Sequence, residues 1–227
     1  MRVAAVIPAL NEEDCITTVV REALTVPGVT VIVVDNGSTD GTAKAARAAG
    51  AQVTGEPRRG YGYACAAGAA SAGDGVDALV FLDGDGSDDP RQMPALLEPI
   101  ERGEADLVLG SRTRRAVDRT ALLRHQQLGN ALTAALVRLL YGQRLTDLPP
   151  FKAICRQTLA GLAMQEMTYG WTVEMIVKCA RQGYRIVEVP VCSRPRLGGK
   201  SKVSGTMRGT VLAAWHLLST TLKYARG

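Results

Sequence analysis

Apolar and polar positions alternate along the first half of the chain in short blocks. Val3 to Pro8, Val29 to Val34, Gln52 to Gly55, Ala78 to Leu82 and Ala105 to Leu109 are short runs rich in Val, Ile, Leu and Ala, the pattern of buried strands. Between them the spacing becomes helical. Asn11-Glu12-Glu13-Asp14 puts acidic residues at a helix N-terminus, and Ile16, Val19, Val20 and Leu24 form the stripe that helix buries. Pro27-Gly28 ends it. Thr39-Asp40-Gly41-Thr42 caps a helix over Ala43 to Ala49, an alanine-rich helix runs to Ala72, and another spans Pro90 to Arg102. This alternation predicts an α/β domain with a mainly parallel central sheet flanked by helices. Ligands of such sheets sit beyond the carboxyl ends of the strands. Pro8, Asp35, Asp83 and Arg112 each close a strand, so all four are predicted on one rim.

The second half is more helical. Leu128, Leu132, Ala135 and Leu139 share a face within 119–141, and Thr146-Asp147-Leu148-Pro149-Pro150 breaks the chain before the apolar run Phe151 to Cys155. A helix from Tyr169 to Gln182, an alternating strand from Arg185 to Val191, and a loop dense in Arg, Gly and Lys from Ser193 to Val203 follow. The last helix, 205–225, carries Met207, Val211, Trp215, Leu218 and Leu222 on one face. With 227 residues the chain can bury one sizeable core. We read 1–203 as one domain, its halves 1–112 and 113–203, followed by an amphipathic helical appendix over 204–227. Arg208 and His216 interrupt that appendix, so no run is long enough to span a bilayer. Its apolar face either packs on the domain or lies in a membrane interface, where Arg208, Lys223 and Arg226 suit anionic lipids.

Charge changes the picture more than overall composition does. The net +5 divides into −9 over residues 1–110 and +14 over 111–227. An acidic half and a basic half suit a polyanionic ligand that bridges both. Nucleic acid is the rival partner of a basic half; few aromatics and no zinc-finger or RNP-type motif argue against it. Five scattered cysteines without a Cys-x-x-Cys pair, and no secretory signal before Val3, predict reduced thiols in the cytoplasm.

The candidate chemistry gathers at the strand ends. Asp83-Gly84-Asp85 offers two carboxylates to a hard divalent cation, Mg²⁺ or Mn²⁺, although a bare Asp-x-Asp also serves as a polar turn. An EF-hand is excluded, because Asp88 and Pro94 stand where that loop needs Gly and Glu. Gly60-Tyr61-Gly62 falls short of a dinucleotide fingerprint, since Cys65 stands at the third glycine; its backbone can still come close to a nucleotide. Asp35, followed by Asn36-Gly37-Ser38, can take hydrogen bonds from a base or ribose, or close an Asx turn. Arg194, Arg196, Lys200 and Lys202, interleaved with Gly198, Gly199 and Ser201, form a phosphate-type loop or a solvated charged one.

Taken together, these stretches resemble the family 2 glycosyltransferases of the GT-A fold, in the branch similar to dolichol-phosphate mannose synthase. Val6-Ile7-Pro8-Ala9-Leu10-Asn11-Glu12 resembles the opening strand and nucleotide turn. Val34-Asp35-Asn36-Gly37-Ser38-Thr39-Asp40-Gly41-Thr42 resembles the second strand motif, with Asn36 where the family often has a second acid. Phe81 to Pro90 resembles the metal motif, and Gly110-Ser111-Arg112 the next strand end. Asp147 to Ala153 resembles the acceptor-side segment, Gly170 to Met175 the helix behind the active site, and Arg194 to Lys202 the phosphate loop. The resemblance implies an inverting transfer from a UDP- or GDP-linked sugar, with Asp83 and Asp85 on Mg²⁺ or Mn²⁺. Pro8, Ala9, Leu10, Glu12, Asp35, Gly62, Asp83 and Gly84 would form the nucleotide site. Arg112, Arg194, Arg196, Lys200, Ser201 and Lys202 would face the acceptor phosphate. A polyprenyl phosphate acceptor needs little deprotonation. An alcohol acceptor needs a general base, for which Asp147 and Glu174 are candidates unless they are structural ion-pair partners. Transfer to a soluble acceptor and a non-catalytic sugar-nucleotide binder are the alternatives. Oligomeric state, donor base and sugar are not legible.

Overall fold

The computed structural model describes residues 1–112, 134, 135, 137–139, 141–168, 170–198 and 223. Seven strands form one sheet in the order β3-β2-β1-β4-β6-β5-β7: β1 Val3–Ala9, β2 Val29–Asp35, β3 Gln52–Gly55, β4 Ala78–Phe81, β5 Leu107–Ser111, β6 Lys152–Cys155 and β7 Ile186–Pro190. All neighbouring pairs are parallel except those of β6, which runs antiparallel between β4 and β5. The mainly parallel sheet is therefore as the alternation predicts. Because β1, β2, β4 and β5 share one direction, Pro8, Asp35, Asp83 and Arg112 do leave the sheet along one rim.

The central strands are buried on both faces, which is why they read as unbroken apolar runs. Ala5, Ile7, Ala9, Val31, Val33, Val80 and Leu82 point into one core layer, with Ile16, Val19 and Val20 of helix α1 (Glu13–Leu24) and Leu96 of α4 (Met93–Glu101). Ala4, Val6, Ile32, Val34, Leu79 and Phe81 point into the other. That layer holds Ala64 and Cys65 of α3 (Tyr61–Ser71) and Trp171 and Val173 of the helix Trp171–Arg181. A shorter helix, α2 (Thr42–Ala48), lies beside α1.

Several details differ from the expectation. Leu24, assigned to the buried stripe of α1, is largely exposed at the helix end. The helix expected over 90–102 opens with a 3₁₀ turn, Pro90–Gln92, capped by Asp89 accepting from Arg91 N–H. Strand β5 begins at Leu107 rather than Ala105, because its partner β7 begins opposite it at Ile186. A helix not foreseen, α5 (Arg156–Leu162), follows β6, so the helix Trp171–Arg181 is α6. Residues 134, 135, 137–139 and 141 of the predicted helix 119–141 are helical. The rest of that stretch lies outside the described residues, as do Lys200, Ser201, Lys202 and the predicted helix 205–225 apart from Lys223. The Lys223 ammonium lies 3.0 Å from a carboxylate oxygen of Glu166.

Candidate active site

Two turns at the rim are stitched together. After β1 the chain passes through Asn11, whose φ of 52° is a left-handed conformation that asparagine tolerates. Asn11 N–H donates to Ser38 Oγ at 3.0 Å, and Thr39 N–H donates back to Asn11 Oδ1 at 2.8 Å. Glu12 N–H donates to Thr42 Oγ1 at 2.8 Å. Hydrogen bonds therefore tie the turns after β1 and β2 together, the region that carries Pro8, Leu10, Glu12 and Asp35. Asp35 Oδ1 accepts from Ser38 N–H at 2.9 Å, so the carboxylate holds the turn that follows its own strand. The Ala9 side chain belongs to the core, so only its backbone faces this turn.

Gly62 is packed by the chain itself on its Cβ side. A Cβ there would lie 2.5 Å from the carbonyl oxygen of Glu166 and 2.6 Å from Met167 backbone, so no side chain fits. Asn36 also serves the fold. Its amide donates to the carbonyls of Glu56 and Arg58, both at 2.8 Å, and its Oδ1 accepts from Gly60 N–H at 3.0 Å.

After β4 come Asp83, Gly84 and Asp85. Asp83 N–H donates to the buried Asp88 carboxylate at 3.2 Å, so the turn folds back on itself. Among the described residues no hydrogen bond reaches the Asp83 carboxylate. Burial, then the charges of Asp88 and Asp85, push its pKa up to about 8, against the pull of Lys152 and Arg112. Burial pushes Asp88 up to about 6, opposed by Arg112. Asp85 is engaged: Oδ1 accepts from Ser87 N–H at 2.8 Å and Oδ2 from Arg196 Nη1 at 2.8 Å. Carboxylates crowded together, one of them without a hydrogen bond, are the donor set that a hard cation would relieve. No group of three or more carboxylate, imidazole or thiolate side chains suited to a metal occurs among the described residues. The fit is therefore to a cation held by one or two carboxylates and completed by ligand oxygens and water, which is the habit of Mg²⁺.

Across the rim, Arg112 and Asp147 form a forked pair. Arg112 Nε and Nη2 donate to the two Asp147 oxygens at 2.8 and 2.9 Å, and Leu148 N–H adds a third bond at 2.8 Å. Asp147 is fully buried and Arg112 partly buried. Arg112 Nη1 makes no hydrogen bond among the described residues. Glu174 is fully buried in α6 and takes Gln165 N–H at 2.9 Å, Glu166 N–H at 2.7 Å and the Lys178 ammonium at 2.8 Å. Of the two readings of each acid, the geometry of both matches the structural one. Arg194 also differs from expectation. Its guanidinium is taken by the Glu22 carboxylate and by the Gly86 carbonyl at 2.7 Å, which leaves Arg196 as the described arginine of that loop at the carboxylates.

Lys152 is a residue that sequence reasoning misses. It is 0% exposed, and its ammonium donates to the Pro150 carbonyl at 2.9 Å and is paired with Thr172 Oγ1 at 3.0 Å. It stands in register with Phe81 of β4 and Leu109 of β5, below the Asp83 turn. Burial lowers its pKa to about 8. Asp88 likewise stands out in the sequence only as part of a motif. An ionisable residue in an apolar strand run is the available signal for Lys152.

The sequence model described as "Glycosyl transferase family 2" matches residues 4–161. The chain is 37% identical over 220 residues to an uncharacterized glycosyltransferase of Mycobacterium tuberculosis, covering 96% of this chain and 98% of the relative. It is 35% identical to the undecaprenyl-phosphate mannosyltransferase of Micrococcus luteus, covering 92% and 90% of the two. Among solved structures, glucosyl-3-phosphoglycerate synthase from Mycobacterium tuberculosis, in complex with Mn²⁺, uridine diphosphate and phosphoglyceric acid, superposes with a TM-score of 0.77 at 26% identity. That superposition covers 99% of this chain and 78% of the synthase.

Proposed function

The chain belongs to glycosyl transferase family 2 and is a glycosyltransferase of GT-A fold, and from that premise we propose that it transfers a sugar from a nucleoside diphosphate to the phosphate oxygen of a polyprenyl phosphate, with Mg²⁺ or Mn²⁺ as cofactor. When bound, the cation offsets the charge that develops on the departing nucleoside diphosphate. Asp83 and Asp85 are its ligands in this reading, with Glu12, Asp35 and the turns around Pro8, Leu10 and Gly84 seating the nucleoside. Arg112 is held in plane by Asp147, and its Nη1 faces the acceptor phosphate.

The observation that carries the choice of acceptor is the state of the two candidate bases. Asp147 is bound by a forked guanidinium, and Glu174 is sealed under two backbone N–H groups and a lysine. Neither is placed to take a proton from an alcohol. A phosphate oxygen is already anionic near neutral pH and needs no such base. The similarity to an undecaprenyl-phosphate mannosyltransferase supports the same choice. The second reading, transfer to a soluble phosphorylated acceptor, is favoured by the likeness to glucosyl-3-phosphoglycerate synthase.

The test offers labelled UDP- and GDP-sugars to the protein with a prenyl phosphate or with phosphoglycerate, with Mn²⁺ or with chelator. Label should move to the prenyl phosphate only with the cation. Asp85→Ala should lower that transfer at least ~100-fold, the scale on which removing one group that stabilises transition-state charge is felt. Transfer to phosphoglycerate alone would establish the second reading, and full Asp85→Ala activity in chelator would remove the cation assignment.

A further inference from the structure

The segment after β7 lies directly on the Asp83–Asp88 turn. Ser193 bridges to Asp88, Arg194 N–H donates to the Ser87 carbonyl at 2.9 Å, and Leu197 N–H donates to the Asp85 carbonyl at 3.0 Å. Leu197 covers Gly86, whose φ is 77°; a Cβ there would lie 2.5 Å from Leu197 Cδ1, so a side chain does not fit. From this track Arg196 turns inward. Its Nη1 donates to Asp85 Oδ2 at 2.8 Å, its Nη2 to the Glu12 oxygens at 2.6 and 2.8 Å, and its Nε to the Gly198 carbonyl at 3.0 Å. One guanidinium thus joins carboxylates from two separate elements, the turn before α1 and the turn after β4.

We propose that Arg196 is an internal counter-cation that keeps the ligand-free site closed, and that a divalent cation binds Asp85 by displacing it. This rests on the reading of Asp85 as a cation ligand and Glu12 as part of the nucleotide seat. Asp85 Oδ1 is held by Ser87 N–H, so Oδ2 is the oxygen for which guanidinium and cation compete. Arginine remains charged throughout the working pH range, so deprotonation cannot open the contact; a stronger cation can. Once displaced, the guanidinium has fewer carboxylate bonds, and the diphosphate of a bound nucleotide would offer it a new partner. Cation and nucleotide then each favour the other, a coupling that linkage makes reciprocal. An ion pair with only a structural role would leave cation affinity where it is.

The test follows free Mn²⁺ by electron paramagnetic resonance during titration of the wild type, Arg196→Ala, Arg196→Lys and Asp85→Ala, each without nucleotide and with UDP or GDP. Arg196→Ala should bind Mn²⁺ about tenfold more tightly without nucleotide, the scale of a lost charge-assisted hydrogen bond. The factor by which nucleotide tightens Mn²⁺ should shrink in the same variant. Arg196→Lys keeps the charge but loses the planar fork that spans both carboxylates, so it should shift Mn²⁺ affinity in the same direction by a smaller factor, and it carries the test if Arg196→Ala fails to fold. Unchanged or weaker Mn²⁺ binding in these variants, with Asp85→Ala still abolishing it, overturns the counter-cation and leaves the cation site standing. If Asp85→Ala binds Mn²⁺ like the wild type, the cation reading itself fails and the proposal with it.

Discussion

Asn36 shows how backbone partners fix the chemistry of a single residue. Its amide gives two hydrogen bonds to backbone carbonyls and receives one, so an acid there would set a carboxylate against the oxygens of Glu56 and Arg58. Asn36→Asp is expected to lower unfolding free energy by about 1–3 kcal/mol, the cost of leaving buried acceptors unpaired. Urea denaturation checks it, and an unchanged midpoint would show that the 56–60 loop is not held this way. The same distinction separates what is legible at this scale from what is not. Asp83 and Asp85 announce themselves by standing together at a strand end. Lys152 and Asp147 take their meaning from partners on other strands and loops, which spacing along the chain does not encode, whereas the Glu174–Lys178 pair has helical i,i+4 spacing. Lys152 illustrates it: two proline carbonyls and Thr172 lie within reach of its ammonium, so a buried charge becomes a fastening for the loop that carries Asp147.

At the scale of elements, the parallel strands are legible because burial on both faces leaves apolar runs, and α1 because its stripe repeats at helical spacing. Strand β6 is legible only as apolar; its antiparallel insertion between β4 and β5 is a tertiary fact. The outer pair β5–β7 is fastened at its start by Asp106, whose carboxylate takes Arg185 N–H at 2.8 Å, Nε at 3.1 Å and Nη2 at 3.0 Å. The hydrogen bonds from the Arg185 side chain hold Asp106 below its ordinary pKa of 3.8, although burial pushes the other way. A depressed carboxylate stabilises the fold above its unfolded pKa, and that contribution is lost as pH falls through the folded value. Arg185→Gln should therefore lower the melting temperature by its full amount above about pH 4. The gap from the wild type should close as the pH drops further. Melting curves from about pH 7 to about pH 3 test this, spanning the ordinary carboxylate range. A gap that stays constant would mean the pair adds packing rather than charge. Arg185 is more than half exposed, so solvent screening keeps the effect small.

At the scale of the whole molecule, the chain divides into two halves of opposite net charge, and both contribute strands to the sheet. On the proposed reading, the nucleotide side, at the ends of β1, β2 and β4, belongs to the half with net charge −9, and the acceptor side draws on the half with +14, which begins where β5 ends and includes β7. A nucleotide sugar approaching the acidic side brings two phosphates, but its own divalent cation offsets much of that charge. On that proposed reading, a phosphate-bearing acceptor has no such companion and depends on the basic half, to which Arg112 belongs. Steering of that kind weakens once salt shortens the Debye length, about 10 Å at 0.1 M and about 3 Å at 1 M. The value of kcat/KM for the acceptor should therefore fall more steeply with KCl than the value for the sugar nucleotide at saturating Mn²⁺. Initial rates over a KCl series, with acceptor and donor varied in turn, measure both slopes. Equal slopes would mean that the charge division is a property of the surface and takes no part in bringing the acceptor phosphate to the rim.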